Sequence, residues 1–395
     1  MIPVNEPLLD GNEGRYLQEC IDAGWVSSEG PFVERFEAEM AARAGRRFAV
    51  AVTNGTAALE LALASLRLEP GSMVVLPTFC IISCAAAVIR NGCLPLFVDA
   101  DPLTWNLDVG KLAELLEEEI DRKGNRKLKA IMAVHTYGLP VDMYPLMALA
   151  DRYGLAVIED AAEMHGQCYQ GRACGSFGAV SIFSFYPNKL VTTGEGGMVL
   201  TDDSLLAERC RSLRNLCFQA DRRFVHEELG HNFRMSNLQA AVGVAQLERL
   251  DRFVALKRSM GARYDSLLAG FDVLQLPLAR TDYADNIYWV YGVVLADEVA
   301  TDAAGMMVRL AARGIGTRPF FWPMHEQPVF RRMGILPENG GGYPVAERMA
   351  RRGFYLPSGL GLRDEQIDTA AAALLDELRS ARLSSNPESD GVDAA

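Results

Sequence analysis

No two of the eight cysteines form a Cys-x-x-Cys pair, and none stands with the five histidines at zinc-site spacing. A disulfide framework, a dithiol redox centre and a structural zinc site therefore lie outside the pattern, and no metal site is expected. Scattered at positions 20, 80, 84, 93, 168, 174, 210 and 217, the thiols fit reduced, mostly packing cysteines of a cytoplasmic protein. A basic tract is also missing. The formal charge of −12 repels a nucleic-acid backbone, although Arg234 and Arg318 still allow a pocket with a locally positive field. The longest nearly apolar stretch, Val74 to Ile89, is interrupted by Pro77 and Ser83, so no membrane span is expected. The opening Met1-Ile-Pro-Val-Asn-Glu lacks a basic n-region and an apolar h-region, which argues against secretion. No internal repeat emerges. What remains is a globular chain of 395 residues, 49% apolar, long enough for two or three domains.

Within that chain Lys189 is the most informative residue. It follows the strand-like run Phe177-Gly-Ala-Val-Ser-Ile-Phe-Ser-Phe-Tyr-Pro-Asn and precedes the glycine-rich Thr193-Gly-Glu-Gly-Gly197. An ordinary lysine, with a pKa of about 10.4, is a solvated surface residue and a poor nucleophile. One delivered from an apolar strand into a glycine-rich turn is poised for covalent chemistry with a carbonyl.

Upstream, Leu155-Ala-Val-Ile-Glu-Asp160-Ala-Ala-Glu163-Met-His165-Gly reads as a buried strand ending in two acids. The C-terminal end of a parallel strand is where an α/β fold carries its chemistry. A carboxylate there suits a pyridine ring nitrogen, which it keeps protonated. Asp160 is the candidate, since Glu159 points to the opposite face; the competing role for Asp160 is an N-cap on a helix beginning at Ala161. A phosphate needs exposed backbone N–H groups, and Phe48-Ala-Val-Ala-Val-Thr-Asn54-Gly-Thr-Ala-Ala-Leu59 supplies a strand, a tight turn and a helix start. Ser184 adds a hydroxyl near Lys189.

Strand-like runs at 48–52, 73–76, 94–99, 129–134, 155–159, 180–183 and 197–201, with helical spacing at 57–66, 109–118 and 143–153, predict an α/β fold with a largely parallel sheet. Beyond residue 250 the order changes: helical at 256–268, strand-like at 286–296, helical at 301–313 and 345–352. This suggests a large domain over 1–250, a smaller α+β domain over 251–382, and a polar, disordered tail over 383–395.

Taken together, Asn54-Gly-Thr-Ala-Ala, Pro77-Thr-Phe, Val134-His-Thr-Tyr-Gly, Glu159-Asp-Ala-Ala-Glu, Ser184-Phe-Tyr-Pro-Asn-Lys189, Gly194-Glu-Gly-Gly and Asn232-Phe-Arg-Met-Ser-Asn237 resemble the DegT/DnrJ/StrS family of pyridoxal-phosphate sugar aminotransferases. The likeness runs in order over roughly residues 3–380. It implies the fold type I aminotransferase architecture and a homodimer with shared active sites. It also implies pyridoxal 5′-phosphate as cofactor, and L-glutamate and a nucleotide-linked keto sugar as substrates. Carried over by motif, Lys189 binds the cofactor covalently and shuttles a proton, and Asp160 holds the ring nitrogen. Ala162 lies against a ring face, unless it is an ordinary helix-forming alanine. Gly55, Thr56, Ala57 and Ser184 hold the phosphate, with Asn232 reaching in from the other subunit or serving as a turn residue.

Two positions depart from the family pattern. Glu163 stands where many members have glutamine near the cofactor's phenolic oxygen; a plain first-turn helix acid is the competing role. Ile81 stands where many members stack an aromatic ring, and Phe79 either compensates or belongs to the core. Four further stretches, 24–37, 81–89, 288–291 and 317–322, resemble members that aminate the 4-keto carbon of a GDP-linked 4-keto-6-deoxyhexose. They put Trp25, Ser27, Arg318 and Phe320 at the substrate, the competing role for Arg318 being a surface arginine beside core aromatics; separately, Trp322-Pro-Met-His-Glu offers His325 as a candidate for the substrate mouth. His135 reads as a hydrogen-bonded structural histidine. A dehydratase on this scaffold would carry histidine in place of Lys189. Rival activities for the same motifs are amination of a different keto group, a cyclitol ketone included, and, outside catalysis, a regulator that has kept the fold.

Overall fold

A computed structural model describes residues 1–336 and 342–383. Two helices absent from the sequence expectation open the chain, α1 (Glu13–Ala23) and α2 (Pro31–Ala44). Then β1 (Phe48–Val52), α3 (Gly55–Ser65), β2 (Met73–Pro77), α4 (Ile82–Arg90), β3 (Leu94–Val98), α5 (Val109–Leu116), β4 (Leu128–Val134), α6 (Met143–Tyr153) and β5 (Ala156–Asp160) alternate. A short hairpin, β6 (Cys168–Tyr169) and β7 (Arg172–Ala173), leads to β8 (Val180–Ser184) and β9 (Gly197–Thr201), followed by α7 (Ser204–Arg214), α8 (Asn237–Leu247) and α9 (Leu250–Leu268). The remainder holds β10 (Leu274–Gln275), β11 (Tyr291–Leu295), α10 (Ala303–Ala312), β12 (Arg318–Pro319), α11 (Pro328–Arg332), α12 (Pro344–Arg352), β13 (Gly353–Leu356) and α13 (Asp364–Leu383).

The central sheet has seven strands in the order β1-β9-β8-β5-β4-β2-β3. Only β9 runs against the others, antiparallel to both β1 and β8. Strands buried on both faces need apolar residues at successive positions, which is why these segments read as continuous runs. Side-chain alternation divides them between two cores. On β1, Ala49 and Ala51 join the cluster that includes α2, α6 and α8, whereas Val50 and Val52 join the one built with α3, α4 and α7. The sheet is thus sandwiched between helices, and the ends of β4, β5 and β8 open on one edge.

A second sheet, all antiparallel, has the order β10-β11-β13-β12 and packs with α9, α10 and α13 around Tyr264, Leu310 and Leu374. Between its strands and α9 lies a buried ammonium. Lys257 Nζ donates to the Trp289 carbonyl at 2.7 Å and to the Ser358 carbonyl, and burial brings its pKa down to about 7.

Three expectations need correction. No helix starts at Ala161: residues 161–167 form successive turns. The acid-bearing strand runs one residue further, so that Asp160 is its last residue. The strand-like stretch 286–296 shortens to β11, because Tyr288 adopts a left-handed backbone (φ 48°) that interrupts extended pairing. Of the tail expected over 383–395, residue 383 ends α13 and 384–395 lie outside the described residues.

Candidate active site

The ends of β4, β5 and β8 and the start of α3 converge on a cavity of about 810 Å³. Lys189 follows β8 by five residues and reaches into it with a side chain only 10% exposed. Its Nζ lies 3.4 Å from Glu163 Oε1 and 3.9 Å from the centre of the Trp289 indole. An ammonium over an indole face is electrostatically favourable, so Trp289 supports Lys189 together with the carboxyl.

Glu163 is held from two sides. Its Oε2 accepts the Tyr137 N–H at 2.8 Å, and that N–H is aimed by a left-handed Tyr137 backbone, φ 61°. Burial pushes the Glu163 carboxyl up to about 7, against the lowering pull of the Lys189 ammonium and the Tyr137 N–H. A carboxyl poised at neutrality beside an amine can hold or release a proton during turnover.

Asp160 is buried at the end of β5. Its Oδ1 accepts the Ala162 N–H at 3.0 Å, closing a turn rather than capping a helix, and its Oδ2 accepts the Cys84 S–H at 3.3 Å. Burial raises its pKa, while both donors, Lys189 and His135 oppose that rise. Glu159, on the opposite face, is saturated by Gly175 N, Phe177 N and His135 Nε2. Because His135 Nδ1 accepts the Val141 N–H at 3.0 Å, its Nε2 carries the proton and donates to Glu159. His165 is buried against Phe183 and Phe185, and burial holds its pKa down to about 3, so it is neutral.

The start of α3 forms the far wall. Asn54 caps it, Oδ1 accepting the Ala57 N–H at 2.8 Å, and Thr56 Oγ1 meets Ser83 Oγ at 3.0 Å. A Cβ on Gly55 would lie 2.8 Å from the Ser184 Cβ, and one on Gly197 only 2.3 Å from the Asn54 carbonyl oxygen. Glycine at both positions is what lets the helix N-terminus press against β8 and β9, with the Ser184 hydroxyl beside it.

Asp160, Ala162, Glu163, Lys189, Gly55, Thr56, Ala57, Ser184, Ile81 and Arg318 all line this cavity. Ile81 is 43% exposed there. The other candidates lie elsewhere. Phe320 is 4% exposed and packs on Phe79, Trp105 and Tyr137, leaving its neighbour Phe321 to face the cavity. Phe79 belongs to the same core. His325 bridges Thr78 Oγ1 at 2.7 Å and Glu347 Oε1 at 3.1 Å. Asn232 Oδ1 accepts from Arg234 Nε at 3.0 Å, which ties up Arg234 outside the cavity as well. Trp25 and Ser27 are exposed in the segment after α1. Sequence reasoning misses the parts played by Tyr137 and Trp289, because a left-handed tyrosine and an indole brought in from a distant segment carry no local signal.

Compared with known proteins, the chain matches the model of the DegT/DnrJ/EryC1/StrS aminotransferase family over residues 7–375. It is 39% identical over 370 residues to a GDP-perosamine synthase of Vibrio cholerae, covering 93% of this chain and 96% of that protein. A GDP-perosamine synthase of Caulobacter vibrioides is 40% identical over 375 residues, covering 94% and 97%. Among solved structures, the aminotransferase TlmJ from Streptoalloteichus hindustanus superposes with a TM-score of 0.87 at 30% identity, covering 97% of this chain and all of that one (100%).

The poised Glu163 carboxyl generates a pH-dependent signal. Folded protein keeps its proton up to about 7, whereas the unfolded chain loses it near the ordinary 4.5; ionising Glu163 therefore lowers stability as pH rises through that window. In difference infrared titrations of cofactor-free protein, a protonated-carboxyl band should grow as pH falls from 8 to 6 and be missing in Glu163→Gln. A band that appears only near 4.5, or one that Glu163→Gln retains, contradicts this.

Proposed function

Because the chain belongs to the DegT/DnrJ/EryC1/StrS aminotransferase family and is a pyridoxal-phosphate-dependent aminotransferase, we propose that it aminates C4 of GDP-4-keto-6-deoxy-D-mannose, giving GDP-perosamine with L-glutamate as donor. Lys189 in its buried setting beside Glu163 and Trp289 is the observation that carries the chemistry. The identity to proteins named GDP-perosamine synthase, over more than nine-tenths of the chain, supports the substrate.

The residues fit the cofactor. A glycine-lined helix start with a serine hydroxyl suits its phosphate, a buried strand-end carboxylate suits its ring nitrogen, and a buried amine lines the same cavity. When bound, the cofactor supplies an electron sink that makes the neighbouring C–H acidic. Lys189 Nζ is the amine that binds it, and it moves the proton once freed. Asp160 keeps the ring nitrogen protonated, and Ala162 leaves space at a ring face. Gly55, Thr56, Ala57 and Ser184 hold the phosphate with N–H groups and a hydroxyl at the positive end of α3. Glu163, poised at neutrality, exchanges a proton with Lys189. Tyr137 and Phe321, stacked at 5.1 Å, and Trp289 exclude water from the amine. Ile81, exposed in the cavity, would offer the ring an aliphatic surface in place of an aromatic one.

Both half-reactions use this one site, glutamate delivering nitrogen and the keto sugar receiving it. We divide the chain near residue 250 into a cofactor domain and a small domain that brings Arg318 and Trp289 to the cavity. The working unit is a homodimer in the cytoplasm making deoxyamino sugars for O-antigen lipopolysaccharide. Exposed apolar side chains at Trp25, Val26, Phe224 and Leu229 support self-association. Asn232, engaged outside its own cavity, is assigned to the phosphate of the neighbouring subunit; no helix among the described residues is long and apolar enough to cross a membrane.

Two experiments test this. Assayed with L-glutamate against GDP-, dTDP- and UDP-linked 4-keto-6-deoxy sugars, the enzyme should turn over the GDP sugar with the highest kcat/KM. Arg318→Ala should raise that sugar's KM about tenfold or more with little change in glutamate's, as loss of a charge-assisted contact would. Equal efficiency across the three nucleotides refutes the GDP assignment. Separately, inactive Lys189→Ala subunits mixed with inactive Asn232→Ala subunits should regain activity, since each mixed dimer holds one intact site. No recovery after verified subunit exchange refutes the shared site.

A further inference from the structure

Two thiols behind Asp160 have no part in the roles assigned above. Cys80, in the turn after β2, and Cys84, in the first turn of α4, are both fully buried. The Cys80 thiol donates to the Pro77 carbonyl at 3.2 Å, and the Cys84 thiol donates to Asp160 Oδ2 at 3.3 Å. Ala162 N–H serves the other carboxylate oxygen at 3.0 Å. Contact with Cys80 is the largest of the causes that push the Cys84 thiol up, with burial and Asp160 acting in the same direction. Cys84 is therefore an S–H, and next to a carboxylate it can only be the donor. Each Asp160 oxygen thus has one fixed donor, one from the backbone of its own turn and one from α4, a helix that also lines the cavity.

We propose that Cys84 is a positioning residue for the cofactor: its S–H anchors Asp160 Oδ2 and keeps the carboxylate ionised and aimed into the cavity. This rests on the assignment of Asp160 to the ring nitrogen. The physical need is specific to a buried site. A carboxylate at the end of β5 is away from water, burial favours its neutral form, and each hydrogen bond to the charged form offsets that. A thiol is a weak donor, yet here it is the sole side chain among the described residues that donates to Asp160. Its position, four residues after Cys80 on α4, couples the orientation of the acid to the helix that also carries Ile81 as its cap and Ser83 toward Thr56.

The test is equilibrium binding of pyridoxal phosphate to the cofactor-free full chain, followed by absorbance across a pH series, for wild type, Cys84→Ala, Cys84→Ser and Asp160→Asn. Cys84→Ala should bind about three- to tenfold more weakly, the range that one hydrogen bond carries. Its loss of affinity on the acid side should begin about half a pH unit higher, because an undonated Asp160 protonates sooner. Cys84→Ser, which keeps a donor, should match or exceed wild type in both respects. Should Cys84→Ala not fold, Cys84→Val fills the volume without a donor and takes its place. Wild-type affinity and an unmoved acid limb in the donor-free variant overturn the proposal, as does a serine variant as weak as alanine, which would make the effect one of packing. Asp160→Asn separates the two levels. If it abolishes the acid limb while Cys84→Ala leaves it untouched, only the role of Cys84 fails; if the limb persists in Asp160→Asn, the assignment of Asp160 fails with it.

Discussion

Placing one ammonium, Lys189, in contact with both a carboxyl and an indole face is the constraint around which the rest of this site is arranged. A buried ammonium without partners is costly, so Glu163 and Trp289 must both be fixed against it. Each is in turn secured by backbone. The Tyr137 N–H, directed by a left-handed conformation, holds Glu163, while Trp289 donates its indole N–H to the Asn188 carbonyl and its own carbonyl accepts from buried Lys257. The segment leading into β11 and helix α9 therefore contribute directly to the setting of a lysine that follows β8. The ionisation of Glu163 is tied to this lysine, because burial raises the carboxyl's pKa while the Lys189 ammonium pulls it down.

The parallel sheet explains why such different groups meet. β4, β5 and β8 are adjacent and run the same way, so His135, Asp160 and Ser184 emerge at the same edge. β9 reverses between β8 and β1, and its first residue, Gly197, is small enough for the Asn54 carbonyl to pass close by. That close approach brings the N-terminus of α3, with its unsatisfied N–H groups, to the cavity from the far edge of the sheet. The N-terminus of α3 is thereby fixed beside Ser184 at the end of β8, while Lys189 and Glu163 reach the same cavity from turns that follow β8 and β5.

Much of this was legible in the sequence. The runs at 48–52 and 197–201 coincide with β1 and β9, because strands buried on both faces cannot hide their apolar character. Lys189 and Asp160 stood out because a charged residue at the end of such a run is anomalous. The turns at 161–167 were not legible: Ala161-Ala162-Glu163 has helix-forming composition, and the Asp160 carboxylate diverts the chain by accepting the Ala162 N–H. α2 does carry local signals of a helix, Pro31 at its start and Gly45 just past its end. Phe320 and Phe321 could not be told apart, since both are aromatic and only the packing of Trp105 and Tyr137 decides which is buried. The roles of Trp289, Lys257 and Cys84 depend on contacts between residues far apart in the chain, so local spacing holds no trace of them.

The most direct measurement is to reduce the cofactor-loaded enzyme with borohydride, digest it and locate the pyridoxyl group by mass spectrometry. A pyridoxyl group on Lys189, and none on Lys257 or any other lysine, is the expected result. A modified lysine elsewhere, or no covalent adduct in a protein that still binds the cofactor and turns over, would contradict the assignment on which the whole site rests.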